Sequence, residues 1–447
     1  MLSAALALLL AAPPAPGPPP LRDLLAAAQR AFEGKDRAAA RRELTAALRF
    51  YPQSPVVHNF LGILDAEDGD AASAEARFRE AVRRDPRYTD AHLNLGRLYQ
   101  ENAAQDARAP ARALAAYLAI LEYEPTYPEA NFQAATLLHA AGEQARALAH
   151  LERLPAEARD RPNARRLLAA VHEARGDLQR ARAVLDEAAQ AQPSVELLLE
   201  LARLASLQKD HKGALGYLAH ARDLEPANAR VHYLFGIVCV ELDLGVEAFH
   251  ALREAVRLAP EDPLVNYALG AVALHRREPI EALPFFQKYA ALRPDEPRAA
   301  LALGVAHFRV ADFPAARTAL GRATAHAPTA AAAHYFLARI AREENDLPEA
   351  LSRARKAVEA LPDYADAWAE LGLVQFRLRQ LDEAESALGR ALSLDPANYL
   401  GNLHLQMLYE RRRDPRAAEQ ARKVEEINRE REKKADEFRR VIEVRPE

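Results

Sequence analysis

Cysteine is almost absent: Cys239 stands alone in 447 residues, which excludes an internal disulfide and any CxxC metal or redox pair. It falls on an expected packing face, so the thiol reads as a buried structural group and not a reactive one. Aromatic residues make up only 6% of the chain, and 17 glycines with 29 prolines punctuate the sequence without making it low-complexity. A dominant charge is missing too. The 60 basic and 64 acidic residues are mixed along the chain and leave a net charge of −4, so no strong field draws in a polyanion and nucleic acid is not an expected partner. What the chain has in quantity is alanine, within an apolar half, as expected of helices that pack through small side chains.

The apolar run Met1 to Ala12 is too short to span a bilayer, so stable membrane insertion is not expected. Followed by the Pro-rich stretch Pro13 to Pro20, it resembles the apolar core of a secretory signal. No Lys or Arg precedes the run and no clean small-x-small cleavage site follows it. Export, to a periplasm or beyond, is the expectation, with a cytoplasmic location as the alternative. No cysteine follows the run, which argues against a lipid-anchored lipoprotein.

The chain carries an internal period, the mark of a repeat architecture. Pro226, Pro260, Pro294, Pro328, Pro362 and Pro396 are each 34 residues apart, as are Pro52 and Pro86. Gly62 and Gly96 keep the same step, and so do Gly236, Gly270, Gly304, Ala338 and Gly372. Within Ala365 to Asn398, Trp368, Leu371, Gly372 and Gln375 have the spacing of one helix face, and Ala384, Leu388 and Ala391 that of a second. Each unit is therefore two helices. Gly69, Gly142 and Gly176 supply the positive φ of the turn between them, and Asp312 and Asp346 stand as capping acids two residues before Pro314 and Pro348. The second helix is expected to end near the periodic proline.

Trp368, Leu371, Gly372, Ala384, Ala391 and Pro396 carry, at the right offsets, the pattern of the tetratricopeptide repeat family, which this 34-residue unit resembles. The frame places units near Leu21, Pro55, Thr89, Pro128, Pro162, Val195, Ala229, Pro263, Pro297, Ala331, Ala365 and Tyr399. The resemblance thus covers residues 21–432, between a leader (1–20) and a charged tail (433–447). It implies an all-α fold, a right-handed superhelical solenoid of about twelve stacked antiparallel helix pairs. Extra residues around Gln105 to Pro110 are expected to lengthen one turn, the weakest repeats span 128–194 with Pro155 inside an expected helix, and Pro284 is a candidate kink. From Arg411 onward Val424, Ile427, Phe438, Val441 and Ile442 remain apolar among charges, either as the solenoid's polar cap or as a docking helix.

By the same resemblance, the first helix of each unit lines a concave groove that holds a peptide or helix of a protein partner. A second stripe on these helices carries Tyr233, Tyr267, Leu301 and Tyr335 at the fifth position, and Val240, Leu274, Phe308 and Phe376 seven residues further on. Arg309, Arg339, Arg342 and Arg377 are interspersed. An apolar floor with arginines suits a partner with aromatic or aliphatic anchors and some acidic residues, while packing between repeats explains the same tyrosines equally well. A clamp for a chaperone's terminal carboxylate is not expected: Asn94 matches, but Asn59, Ile63, Glu129 and Gln133 flank it.

No enzyme, metal or cofactor is expected. The histidines form no HExxH, and His58, His92, His232 and His334 share the fourth position of their units, a sign of repeat packing. No phosphate loop or nucleophile motif occurs, and residues 1–20 and 433–447 leave no room for a catalytic domain. A protein-interaction scaffold is the reading, with a regulatory or substrate-recruiting subunit of an enzyme complex, or a self-assembling structural protein, as the alternatives.

Overall fold

Small residues set the spacing of the helices. The structure, a computed structural model, describes residues 19–443, with side chains to residue 430, and holds 25 helices and no strand among them. Twelve antiparallel pairs account for all but the short helix Ala156–Arg159. The first helix begins at the expected residue in every repeat except the tenth. The run Met1–Ala12 lies outside the described residues, as do the side chains of Phe438, Val441 and Ile442. The packing divides the chain into two compact bodies, Met1–Pro193 and Ser194–Glu447.

The phased glycines face one position of the paired helix, sixteen residues on. A Cβ built on Gly62 would lie 2.7 Å from the Phe78 ring, and one on Gly236 or Gly372 would lie 2.6 Å from Cγ of Leu252 or Leu388. In the third repeat the inserted residues shift the partner to Tyr117, whose ring would overlap a Cβ on Gly96. Where the first helix has Ala338 in place of glycine, the second has Ala354 in place of a large residue. A change of size on the first helix is thus met by an opposite change on the second.

Gly304→Leu is the direct test of this arrangement. A Cβ there would already sit 2.6 Å from Leu320 Cγ and 3.0 Å from the Leu320 backbone nitrogen. Overpacking should lower the stability of the Ser194–Glu447 body by about 1–3 kcal/mol in a urea melt. Gly304→Ala should cost less, because Ala135 beside Leu151 shows that the pair can adapt, and alanine regains about 1 kcal/mol of helix propensity.

The turns depart from the glycine rule. Gly69, Gly142 and Gly176 have φ near +80°, as expected, yet Lys35, Lys209, Asp243, Arg277, Ala311, Asn345, Arg379 and Arg413 adopt φ of 53° to 64° at the equivalent position. A left-handed residue costs a non-glycine roughly 1–2 kcal/mol, and the tertiary contacts of two packed helices enforce it. Asp312 and Asp346 cap their helices as expected, accepting from the amides of Ala315 and Glu349 at 3.2 and 3.1 Å. Asp36, Asp70, Asp177 and Asp210 do the same without a following proline.

Four repeats deviate. In the third, residues 102–108 separate the helices Thr89–Glu101 and Ala109–Leu121, where three residues suffice in the second repeat. In the fourth, Pro155 follows a second helix that stops early, Gln144–Glu152, and the short Ala156–Arg159 helix fills the space. In the eighth, Pro284 lies inside the continuous helix Pro279–Leu292. The carbonyl it leaves unbonded belongs to Ile280, 80% exposed in the first turn, where water can take the bond. In the tenth, Pro328 does not end the preceding helix: Phe313–Ala323 stops before it, and Pro328 sits in the first turn of Ala327–Glu343. Proline is tolerated there because the first-turn amides have no intrahelical partner.

Candidate functional site

In the Met1–Pro193 body the polar groups on neighbouring first helices bond to one another. Asn94 Nδ2 donates to Asn59 Oδ1 at 3.0 Å, Arg97 Nη2 to Glu129 Oε1 at 2.7 Å, and Gln100 Nε2 to Gln133 Oε1 at 3.1 Å. Asn94, Asn59, Glu129 and Gln133, the positions compared with a carboxylate clamp, are thus engaged with one another or with neighbouring side chains, and each bond bridges one repeat to the next.

The Ser194–Glu447 body presents apolar surface on its first helices. A cleft of about 430 Å³ opens between Ala229–Glu241 of repeat seven and Pro263–His275 of repeat eight, floored by Tyr233, Ile237, Tyr267 and Ala271. Leu264, 58% exposed, and the exposed Val240 stand at its edge, with Arg298 of repeat nine at one end and Asp243 and His275 at the other. Ile237 also lines a second cleft of about 520 Å³ toward Val195–Leu207 of repeat six, with Leu199 and Leu234. The apolar floor is therefore continuous across three successive first helices.

Of the residues expected on the binding stripe, Tyr233 and Tyr267 line this cleft, half-buried. Tyr267 also packs on Phe286 and Tyr289, with ring centroids at 5.9 and 5.1 Å. Leu301 and Phe308 are half-buried in the core of repeats nine and ten, and Arg309 is exposed. Tyr335 is 6% exposed, its ring against Phe336 and Tyr364 at 5.1 and 5.3 Å. Arg339 lies over the Phe308 ring at 4.8 Å, and Phe376 lies under Arg411 at 5.3 Å. Arg377 is exposed and reaches the carbonyl of Arg342 at 3.5 Å.

Arg342 is withdrawn from solvent: its Nε meets Glu370 Oε1 at 2.5 Å, with the two side chains 11% and 5% exposed. Burial raises the Glu370 carboxyl above its ordinary range, opposed by the Arg342 charge. On the next first helix, burial and then the charges of Arg342 and Arg377 push His404 down to about 4. From repeat ten to repeat twelve the first helices touch directly, and Tyr335 and Arg342 are taken up in contacts with Tyr364 and Glu370.

The fourth-position histidines have a shared task that the sequence reading missed. His58, His92 and His232 donate from Nε2 to the carbonyls of Pro52, Pro86 and Pro226. Asn131, Asn266, Trp368 and Asn402 reach the carbonyls of Pro125, Pro260, Pro362 and Pro396 in the same way, all at 2.8 to 3.1 Å. Each bond ties the loop between repeats to the next helix. The signal was present as His, Asn or Trp six residues after the periodic proline. His334 lacks the bond because Pro328 is already helical.

Cys239 is fully buried, and burial pushes its thiol up to about 12, so it stays protonated at neutral pH. Among the described residues no group of three or more His, Cys, Asp or Glu is placed to hold a metal ion. No described helix is long and apolar enough to cross a membrane.

No curated protein sequence matches this one significantly. Among solved structures, a chain of Naa15/Naa10 bound to HypK-THB is 19% identical over 88% of this chain, with a TM-score of 0.42, and this chain covers 66% of it. A chain of the APC/C hetero-tetramer Cut9-Hcn1 is 14% identical (92% of this chain, 94% of that one, TM-score 0.44). Yeast Tom70 is 17% identical (91% of each chain, TM-score 0.41). Models described as tetratricopeptide repeat match residues 61–111, 243–297 and 301–364, with others at 104–171, 162–204 and 365–398. These segments cover residues 61–204 and, but for three residues, 243–398, and the chain belongs to the tetratricopeptide repeat family, a fold of protein-interaction scaffolds.

Proposed function

We propose that this chain holds an extended segment or a helix of a protein partner on the first helices of repeats six to eight. The observation that carries this reading is the continuous apolar floor through Leu199, Ile237 and Tyr267, edged by Leu264 and Val240. Exposed large apolar side chains around a concave floor are what an anchor residue of a partner would cover. Repeats ten to twelve, whose aromatic and arginine side chains contact one another, serve as its rigid support.

Leu264 separates binding from folding. Leu264→Asp removes an exposed contact, so it should leave the melting temperature nearly unchanged while weakening an affinity-captured partner by about 2 kcal/mol or more, the range of a hot spot. Tyr267→Ala should lose both stability and affinity, since its ring is shared between the cleft and Phe286. Unchanged partner affinity in Leu264→Asp, measured by titration calorimetry, would place the binding surface elsewhere.

A further inference from the structure

Charge around the cleft is unevenly placed, and this says what the bound segment carries. Arg230, Leu264 and Arg298 occupy the same register position, in the first turns of three successive first helices, Ala229–Glu241, Pro263–His275 and Pro297–Arg309. Both arginines are exposed, and among the described residues no carboxylate pairs with either. Arg298 instead lies over the Tyr267 ring, 6.0 Å from its centre. At this same end Asp262 caps Pro263–His275, its carboxylate accepting from the amides of Leu264 and Val265 at 2.8 and 3.3 Å, so that carboxylate is already engaged. At the far end Asp243, the carboxylate among the cleft's lining residues, lies 4.0 Å from His275. Toward repeat six the neighbouring cleft is mixed, with Glu196 and Glu200 against Arg203 and Arg230. Arg298 is therefore the permanent cation lining this cleft, and no carboxylate pairs with it.

We infer that the partner segment places one large aromatic or aliphatic side chain in the cleft between repeats seven and eight and carries an acidic residue beside it, held by Arg298 with help from Arg230. This rests on the reading given under Proposed function and names the partner's chemistry. An arginine on an aromatic face is preorganised for a carboxylate, because its guanidinium is already positioned and only weakly hydrated. The apolar cleft supplies affinity and the arginines supply selection against a basic segment.

The test uses the full chain and two fluorescein-labelled synthetic peptides, each with a central Phe-Leu pair, one flanked by Asp and Glu and the other by Lys. Fluorescence anisotropy should show the acidic peptide binding at least about tenfold tighter, an advantage lost in Arg298→Glu with Arg230→Glu and reduced by added salt. Leu264→Asp should weaken both peptides. Equal binding of the two peptides with loss of both in Leu264→Asp would overturn the charge assignment and leave the apolar cleft standing. Binding of neither peptide, or binding indifferent to Leu264→Asp, would overturn both. Light scattering that shows a dimer dissociated by Leu264→Asp would also overturn the inference, since a second copy would then be the occupant.

Discussion

Arg342→Met should destabilise the Ser194–Glu447 body by about 3–5 kcal/mol, because it leaves the Glu370 carboxylate buried without a counter-charge. Replacing both partners, as Arg342→Met with Glu370→Leu, should recover most of that loss, since two apolar side chains of similar size need no mutual geometry. Urea melts give the size of the effect, and hydrogen exchange its place. Protection should fall first in Ala327–Glu343, Ala365–Arg377 and Tyr399–Arg412, the three first helices around the pair. A partner bound at repeats six to eight should be held by the folded variant as well as by the wild type. If Arg342→Met melts normally but releases the partner, the arginine belongs to the binding surface after all.

Acid should loosen both bodies well before carboxylates protonate in bulk. Burial, named first in each case, lowers His58, His150, His172, His334 and His404 below the ordinary imidazole range. A base whose folded pKa is depressed is neutral in the fold and protonated in the unfolded chain, so its stabilising contribution is complete above about pH 6.5 and shrinks as pH falls. For His404, held at about 4, the loss between pH 6.5 and 4 is roughly 3 kcal/mol. Glu370 works in the opposite sense, because a buried carboxyl with a raised pKa is relieved by protonation, and it offsets part of the loss. Urea midpoints at pH 7.5, 6 and 5 should therefore fall steadily in the wild type and less steeply in His404→Leu. Parallel curves for the two proteins would show that His404 is not the titrating group.

The repeat frame was legible because proline and glycine report backbone needs directly. Their 34-residue step located first-helix starts to the residue. It failed at Pro328, where one residue satisfies two roles, ending a helix or sitting in a first turn, and sequence alone does not choose between them. The left-handed turns at Arg277 and Ala311 were invisible because the marker, glycine, is absent and the conformation is imposed by packing. The stripe was harder. Tyr267 and Tyr335 share a register position, yet one floors a cleft and the other is buried under Phe336 and Tyr364. Periodicity gives the face a side chain is on, and not how near the next helix comes to that face. One clue was available: the sixth position of the first helix is apolar at Leu234, Ala268, Ala302 and Phe336, then becomes Glu370 and His404. A charge appearing in an apolar register marks a buried ionic contact, and here that contact is the one that takes Arg342 out of solvent.

The division of volume between a small residue on the first helix and its opposite number on the second bears on how such a chain can be lengthened or recombined. A gene duplication that copies a whole pair carries Gly270 together with Phe286, or Ala338 together with Ala354, and the copy inherits a filled interior. A crossover inside the pair does not. Joining the first helix of repeat ten to the second helix of repeat eight would set Ala338 against a phenylalanine, and the reverse joint would leave glycine facing alanine across a void. The smallest heritable module of this chain is accordingly the helix pair, and breakpoints that survive selection should fall in the loops tied down by His58, Asn266 and their equivalents, between one pair and the next.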